Sequence, residues 1–220
     1  MISEIINHPL LYTCKISEAV LEKYSHVISV CPRTNHLQFE YRDLVQARIN
    51  LLKLNKGVED WGNVVEQPSY FFSRLPIIEP KHILLFQDPV ELLMYEQKGI
   101  VDPLTLCIGL PYFFDESFVQ DIIYQFQNPA ISTFSSNDIM GSLFDIKVYL
   151  GLKNRNDGFF ISPGYGEIDV IRKRDGKKRT YPLEKITVKK IREDFSLRHP
   201  MKTNKPRKPL VTFKEALWKK

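Results

Sequence analysis

The spacing of apolar positions changes period along the chain, and each change predicts a different kind of element. Ile16–Tyr24 (ISEAVLEKY) sets Val20, Leu21 and Tyr24 on one helical face behind Ser17 as a cap, which predicts a short helix. His36–Arg42 (HLQFEYR) alternates Leu37, Phe39 and Tyr41 with Gln38, Glu40 and Arg42, and Gln46–Leu51 repeats the alternation with Ala47, Ile49 and Leu51. A period of two predicts two or three antiparallel strands, so this part reads as a small α+β unit. From Lys53 to Pro80 the periodicity fades among Gly57, Gly62, Pro68 and Pro76. That stretch predicts a connector, either linker or lid, with Tyr70, Phe71 and Phe72 at its surface.

A different pattern begins at His82. Ile83–Phe86, Leu104–Ile108 and Ile131–Phe134 are apolar on consecutive positions, as in parallel strands covered on both faces. Helical patterns alternate with them. Val90–Gln97 precedes Gly99; Phe118, Val119, Ile122, Ile123 and Phe126 form the next stripe, with Asp115 or Ser117 as its cap; and Gly141–Leu152 turns Leu143, Ile146 and Leu150 inward. Alternating strands and helices predict an α/β fold, a Rossmann-like parallel sheet with right-handed crossovers and chemistry at the carboxyl ends of its strands. Two strands break into polar turns, at Gln87-Asp88-Pro89 and at Phe134–Gly141 (FSSNDIMG), and these breaks are expected to share one site. Beyond them, strand-like runs around Asp175-Gly176 predict a hairpin with a type I′ turn and a basic tip. After Ile186, Pro200, Pro206 and Pro209 punctuate a segment expected to be extended or disordered without a partner. The expected division is 1–79, an N-terminal α+β unit and connector; 80–152, the α/β domain; and 153–220, the basic hairpin and tail.

Composition adds a functional asymmetry. The 220 residues carry a net charge of +5, yet residues 1–170 hold 13 Lys and Arg against 21 Asp and Glu, while 171–220 hold 18 against 5. A mildly acidic body with a strongly basic end fits a polyanion partner, DNA or RNA, and the plainer reading is a solvated tail or one that docks on an acidic protein. No run approaches the length of a membrane span, and MISEIINHPLL lacks the order of a secretory signal, so the expected location is cytoplasmic, with no membrane partner. Cys14, Cys31 and Cys107 are scattered, which predicts reduced thiols. His8, His26, His36, His82 and His199 show no metal-ligand spacing. ISPGYGEI at 161–168 reads as a loop or bulge rather than a phosphate-binding turn. Phe159, Phe160, Tyr165 and Tyr181 lie beside basic residues, where they either stack on unpaired bases or belong to a core.

Phe86-Gln87-Asp88-Pro89-Val90-Glu91-Leu92-Leu93-Met94-Tyr95, followed by Ser136-Asn137-Asp138-Ile139-Met140-Gly141, resembles the Toprim domain of bacterial primases, especially the primase-like and mobilisation proteins of mobile elements. The preceding ISEAVLEKY, HVISV and HLQFEY are similar to the segment before Toprim in those proteins, so the resemblance spans roughly residues 10 to 152. It implies a Toprim-like sheet in which a strand-end glutamate serves as acid/base group and an Asp-x-Asp pair holds Mg²⁺ near a phosphodiester. Here Gln87 stands at the glutamate position and Ser136 at the first aspartate, leaving Asp138. An amide does not titrate near neutral pH and a hydroxyl is a poor Mg²⁺ ligand, so the site reads as degenerate. A rearranged site of Asp88, Glu91 and Asp138 on Mg²⁺ is the alternative; otherwise no cofactor is expected.

The functional expectation is a non-catalytic nucleic-acid-binding accessory protein of plasmid or transposon replication or mobilisation, working with replication or mobilisation proteins. Phosphate contacts would come from Arg172, Lys173, Arg174, Lys177, Lys178, Arg179, Lys189, Lys190 and Arg192, with Lys205, Arg207 and Lys208 adding charge. The alternatives are a Mg²⁺-dependent primase- or nuclease-type phosphotransfer enzyme, and a protein-interaction scaffold.

Overall fold

The computed structural model describes residues 2–44, 48–55, 58–61, 68–73, 79–99, 102–111, 114, 116–127, 129–198 and 200–215. In chain order the elements are α1 (Ile2–Ile6), α2 (Pro9–Thr13), α3 (Glu18–Tyr24), β1 (Ile28–Val30), β2 (Leu37–Arg42), β3 (Arg48–Asn55) and β4 (Val58–Trp61). There follow β5 (His82–Phe86), α4 (Pro89–Glu96), β6 (Thr105–Gly109), α5 (Glu116–Gln125), β7 (Ala130–Phe134), α6 (Ile139–Asp157) and β8 (Phe159–Pro163). The last are β9 (Glu167–Arg172), β10 (Lys177–Pro182), α7 (Val188–Phe195) and β11 (Lys202–Asn204).

The fold class is α/β, as the alternation of apolar runs predicts. Four parallel strands run in the order β11-β7-β5-β6. Helices cover both faces, and the side chains of β5 show how. Leu84 and Phe86 join a core with α4, α3 and β2, whereas Ile83 and Leu85 join one with α5 and α6. Such burial on both faces is why these strands are continuous apolar runs. After β5 the chain crosses to β6 on one side and then returns to β7 on the other, so the connections diverge between β5 and β7. In open α/β sheets, that divergence opens a crevice at the carboxyl ends.

The antiparallel N-terminal sheet has the order β1-β2-β3-β4. It joins the parallel sheet through Tyr70 and Phe71, whose backbones bridge to Arg42 and Gly109. Tyr70, Phe71 and Phe72, expected at the surface, are buried. Phe71 packs between the rings of Tyr24 and Phe39, each 5.3 Å away. The connector therefore carries two core residues into a seam that its own periodicity does not announce. Of the sequence expectations, Gln46, Ala47, Gly57, Gly62, Pro76, the cap Asp115 and His199 lie outside the described residues.

After Ile186, where an extended or disordered segment is expected, the chain forms α7 and then the extended strand β11. The strands β8, β9 and β10 form an antiparallel meander backed by α7 and by Ile146, Tyr149 and Leu150 of α6. Burying one face of α6 here and its Phe144 and Val148 in the parallel-sheet core unites the two layers. The type I′ turn is also corrected. Arg172 pairs with Lys177, so Lys173–Gly176 form a four-residue connection in which Gly176 has φ +67°. Asp175 accepts from Arg172 at 2.5 and 3.0 Å and from the Lys177 N–H at 3.1 Å, and these bonds replace the two-residue geometry. Beyond α7, β11 adds to the parallel sheet beside β7. Among the described residues no helix is long and apolar enough to cross a membrane.

Candidate functional site

Strand register builds the site. Asn204, Phe134, Phe86 and Gly109 form one row across the parallel sheet. The next residue on each of three neighbouring strands is therefore Lys205, Ser135 and Gln87. Gln87, Asp88, Glu91, Ser136 and Asp138 line one cavity of about 210 Å³ with Met140, Thr212 and Lys214. The two polar breaks thus meet at one place.

Each sequence-singled carboxylate there has a partner within the chain. Asp88 caps α4, accepting from the Val90 N–H at 2.7 Å, with Pro89 in the first turn. Its other oxygen is ion-paired with Lys214. Asp138 caps α6 by accepting from the Gly141 N–H at 2.8 Å and takes the Ser136 hydroxyl at 2.6 Å. Gln87 Oε1 accepts the Ser136 N–H at 3.1 Å. Gly141 is required by close approach, since a Cβ there would stand 1.9 Å from the Ser136 carbonyl oxygen.

Glu91 lies at 5% exposure and accepts from the backbone N–H groups of Phe213 and Lys214 at 2.8 and 3.4 Å. Burial, reinforced by Asp88, pushes its carboxyl up to about 7 against the opposing pull of Lys214 and those N–H groups. Burial pulls the Lys214 ammonium down, but Asp88 and Glu91 outweigh it and the net direction is upward. Cys14 packs nearby, its thiol raised to about 11 chiefly by burial.

A second ion pair anchors the segment from the other side. Asp145 of α6, at 2% exposure, accepts from Thr133 Oγ1 at 2.7 Å and Ser135 Oγ at 2.9 Å, and pairs with Lys205 at 3.2 Å. Lys205 also donates to the Ser136 carbonyl at 2.8 Å. Between the two lysines the Asn137 N–H donates to the Val211 carbonyl at 2.7 Å, and Phe213 packs 5.8 Å from the Phe134 ring. Residues 205–214 therefore run across the mouth of the crevice.

Sequence reasoning missed Asp145, Phe213 and Lys214. A signal existed: Asp145 is a lone carboxylate inside the apolar pattern of α6, and a buried carboxylate needs a cation. Lys205, expected to add surface charge, turns inward to supply it. Among the described residues, no group of three or more His, Cys, Asp or Glu is disposed to hold one metal ion. Asp88, Glu91 and Asp138 line the same cavity, with Lys214 beside Asp88 and Glu91.

The basic residues divide by environment. Lys173, Arg174, Lys178, Arg179, Lys189, Lys190 and Arg192 are exposed, whereas Arg172 and Lys177 are half-buried. Arg172 clamps Asp175 and lies over the Phe195 ring, and Lys177 donates to the Asp194 carbonyl. Lys178 pairs with Asp169, Lys189 with Glu193 and Lys190 with Asp194. Of the aromatics, Phe159 and Tyr181 belong to the core, and Tyr165 is fully exposed.

No family model and no curated protein matches the chain. Among solved structures, it is similar to a chain in the bacteriophage T7 lagging-strand DNA polymerase interacting with primase domains of two gp4 subunits bound to an RNA/DNA hybrid and dTTP. That match has 13% identity and a TM-score of 0.45, covering 61% of this chain and 69% of that one. It is similar to the primase fragment of the bacteriophage T7 primase-helicase protein at 15% identity and a TM-score of 0.47, covering 63% of this chain and 58% of that one. The E. coli primase catalytic core is similar at 10% identity and a TM-score of 0.45, covering 66% of this chain and 58% of that one.

Proposed function

We propose that the chain is a cytoplasmic, non-catalytic nucleic-acid-binding accessory protein with a degenerate Toprim-like site, acting in plasmid or transposon replication or mobilisation. The observation that carries this reading is the Lys214 ammonium beside Asp88 and Glu91, with Gln87 and Ser136 at the neighbouring strand ends. The ammonium supplies positive charge where phosphotransfer through carboxylates would need a divalent ion. Asp88 and Asp138 cap helices, and Gln87 has no proton to exchange near neutral pH. Nucleic-acid affinity then resides in the basic meander and α7, where Lys173, Arg174, Arg179 and Arg192 are exposed.

Phosphate contacts release counterions, so binding weakens with salt. About four contacts on a single strand give a log–log slope of about −3, or roughly a sixtyfold loss between 50 and 200 mM salt. Fluorescence anisotropy with a labelled oligonucleotide measures this; affinity that is absent, or constant across that range, refutes the reading. Calorimetry with millimolar Mg²⁺ or Mn²⁺ tests the enzymatic alternative, because a surviving ion site has to displace Lys214 and give a saturable heat.

A further inference from the structure

A second cavity, of about 440 Å³, lies between β10 and α7, away from the strand ends. It is lined by Arg179, Thr180, Tyr181, Lys185, Lys190 and Asp194, with Pro182 at its edge. We propose that this cavity receives a terminal phosphate monoester of a nucleic-acid strand. The proposal rests on the nucleic-acid-binding reading above and gives it a specific contact.

Charge balance is the first argument. Several cations of the meander and α7 have a local anion: Arg172 has Asp175, Lys178 has Asp169 and Lys189 has Glu193. The cavity brings three cations around a single carboxylate, Asp194, which is held by Lys190 at 3.2 Å. Among the described residues, Arg179 and Lys185 make no salt bridge. The lining thus carries an excess of two positive charges. A terminal phosphate monoester is close to a dianion at neutral pH, whereas an internal phosphodiester carries one charge.

Shape and rigidity are the second. Arg179 sits on β10, paired across from Val170, and Tyr181 beside it is only 4% exposed, its ring in the core with Ile191 and Phe195. Lys190 is held on α7, whose first turn is capped by the Thr187 hydroxyl accepting from the Lys190 N–H at 3.2 Å. Regular elements thus present a guanidinium and an ammonium from two sides of a concavity, and a guanidinium suits the fork geometry of phosphate oxygens.

The test uses the full chain and three oligonucleotides of one sequence carrying a 5′-phosphate, a 3′-phosphate or neither, titrated by anisotropy at fixed salt. The expected result is about tenfold tighter binding of a phosphorylated end. Arg179→Gln and Lys185→Gln should each reduce that preference to about twofold or less, whereas Lys98→Gln, which removes a charge elsewhere, should preserve it. Thermal melts confirm that the variants fold. Equal affinity for all three oligonucleotides overturns the phosphate receptor and leaves the nucleic-acid-binding reading standing. Should no oligonucleotide bind, that broader reading fails, and adenosine monophosphate is titrated in its place by NMR. Saturable shifts confined to the amides of Arg179, Thr180, Lys185 and Lys190 then assign the cavity to a free nucleotide's phosphate, and their absence overturns it.

Discussion

Replacing Lys205 by Met probes whether the tail is part of the fold or merely rests on it. Asp145 is buried, and Lys205 is its only cation within salt-bridge distance among the described residues. Breaking a fully buried pair costs about 3–5 kcal/mol, because the remaining charge is left uncompensated. Here the lysine side chain is 28% exposed, and Thr133 and Ser135 still donate to the carboxylate. The expected loss is therefore about 2 kcal/mol at neutral pH.

The sign of the pH dependence follows from the direction of the Asp145 shift. Burial raises its carboxyl, while Lys205 and the two hydroxyls pull it down, so removing Lys205 raises it further. A carboxyl raised in the folded state favours folding when protonated and loses that contribution as pH rises. The deficit of Lys205→Met should be largest at neutral pH and should shrink in acid. Urea unfolding at pH 7.5 and pH 5, with the slope checked for constancy, measures both values. A neutral-pH loss below about 0.5 kcal/mol, or a deficit that grows towards acid, would contradict the reasoning. Adding Asp145→Asn should recover most of the loss, giving a coupling energy of the same order as the single effect.

Other consequences are as direct. The Glu91 carboxyl, raised to about 7, favours folding below its ordinary range and loses this contribution as pH rises to and through 7; Glu91→Gln should flatten that part of the stability–pH curve while Oε1 keeps accepting from the tail. Gly141→Ala forces a Cβ against the Ser136 carbonyl and should cost about 3 kcal/mol or prevent folding, seen as a fall in the melting midpoint or loss of soluble protein. The combined variant Gln87→Glu, Ser136→Asp, Lys214→Ala should gain saturable Mg²⁺ binding in calorimetry; no heat from the folded variant would mean that more than these three side chains separates the cavity from an ion site.

Local pattern alone determined much of this protein. Consecutive apolar residues in HILLF, TLCIG and AISTF report burial on both faces, and their alternation with helical stripes admits few topologies. The strand-end positions of Gln87 and Ser136 follow from the same pattern, as does the neutrality of their side chains. Charge counting located the basic end. It did not reveal that two of those cations face inward, because pairing Lys205 with Asp145 and Lys214 with Asp88 joins residues distant in sequence. Three residues of β11, too few and too polar to read as a strand, become one when β7 offers an open parallel edge. Tyr70 and Phe71 are another such case: no periodicity marks them, yet bridges to Arg42 and Gly109 close the seam between two sheets. Composition and period record what each segment buries. Which segment covers the crevice is decided by long-range register and by the need of a buried carboxylate for a cation, and only the assembled structure contains both.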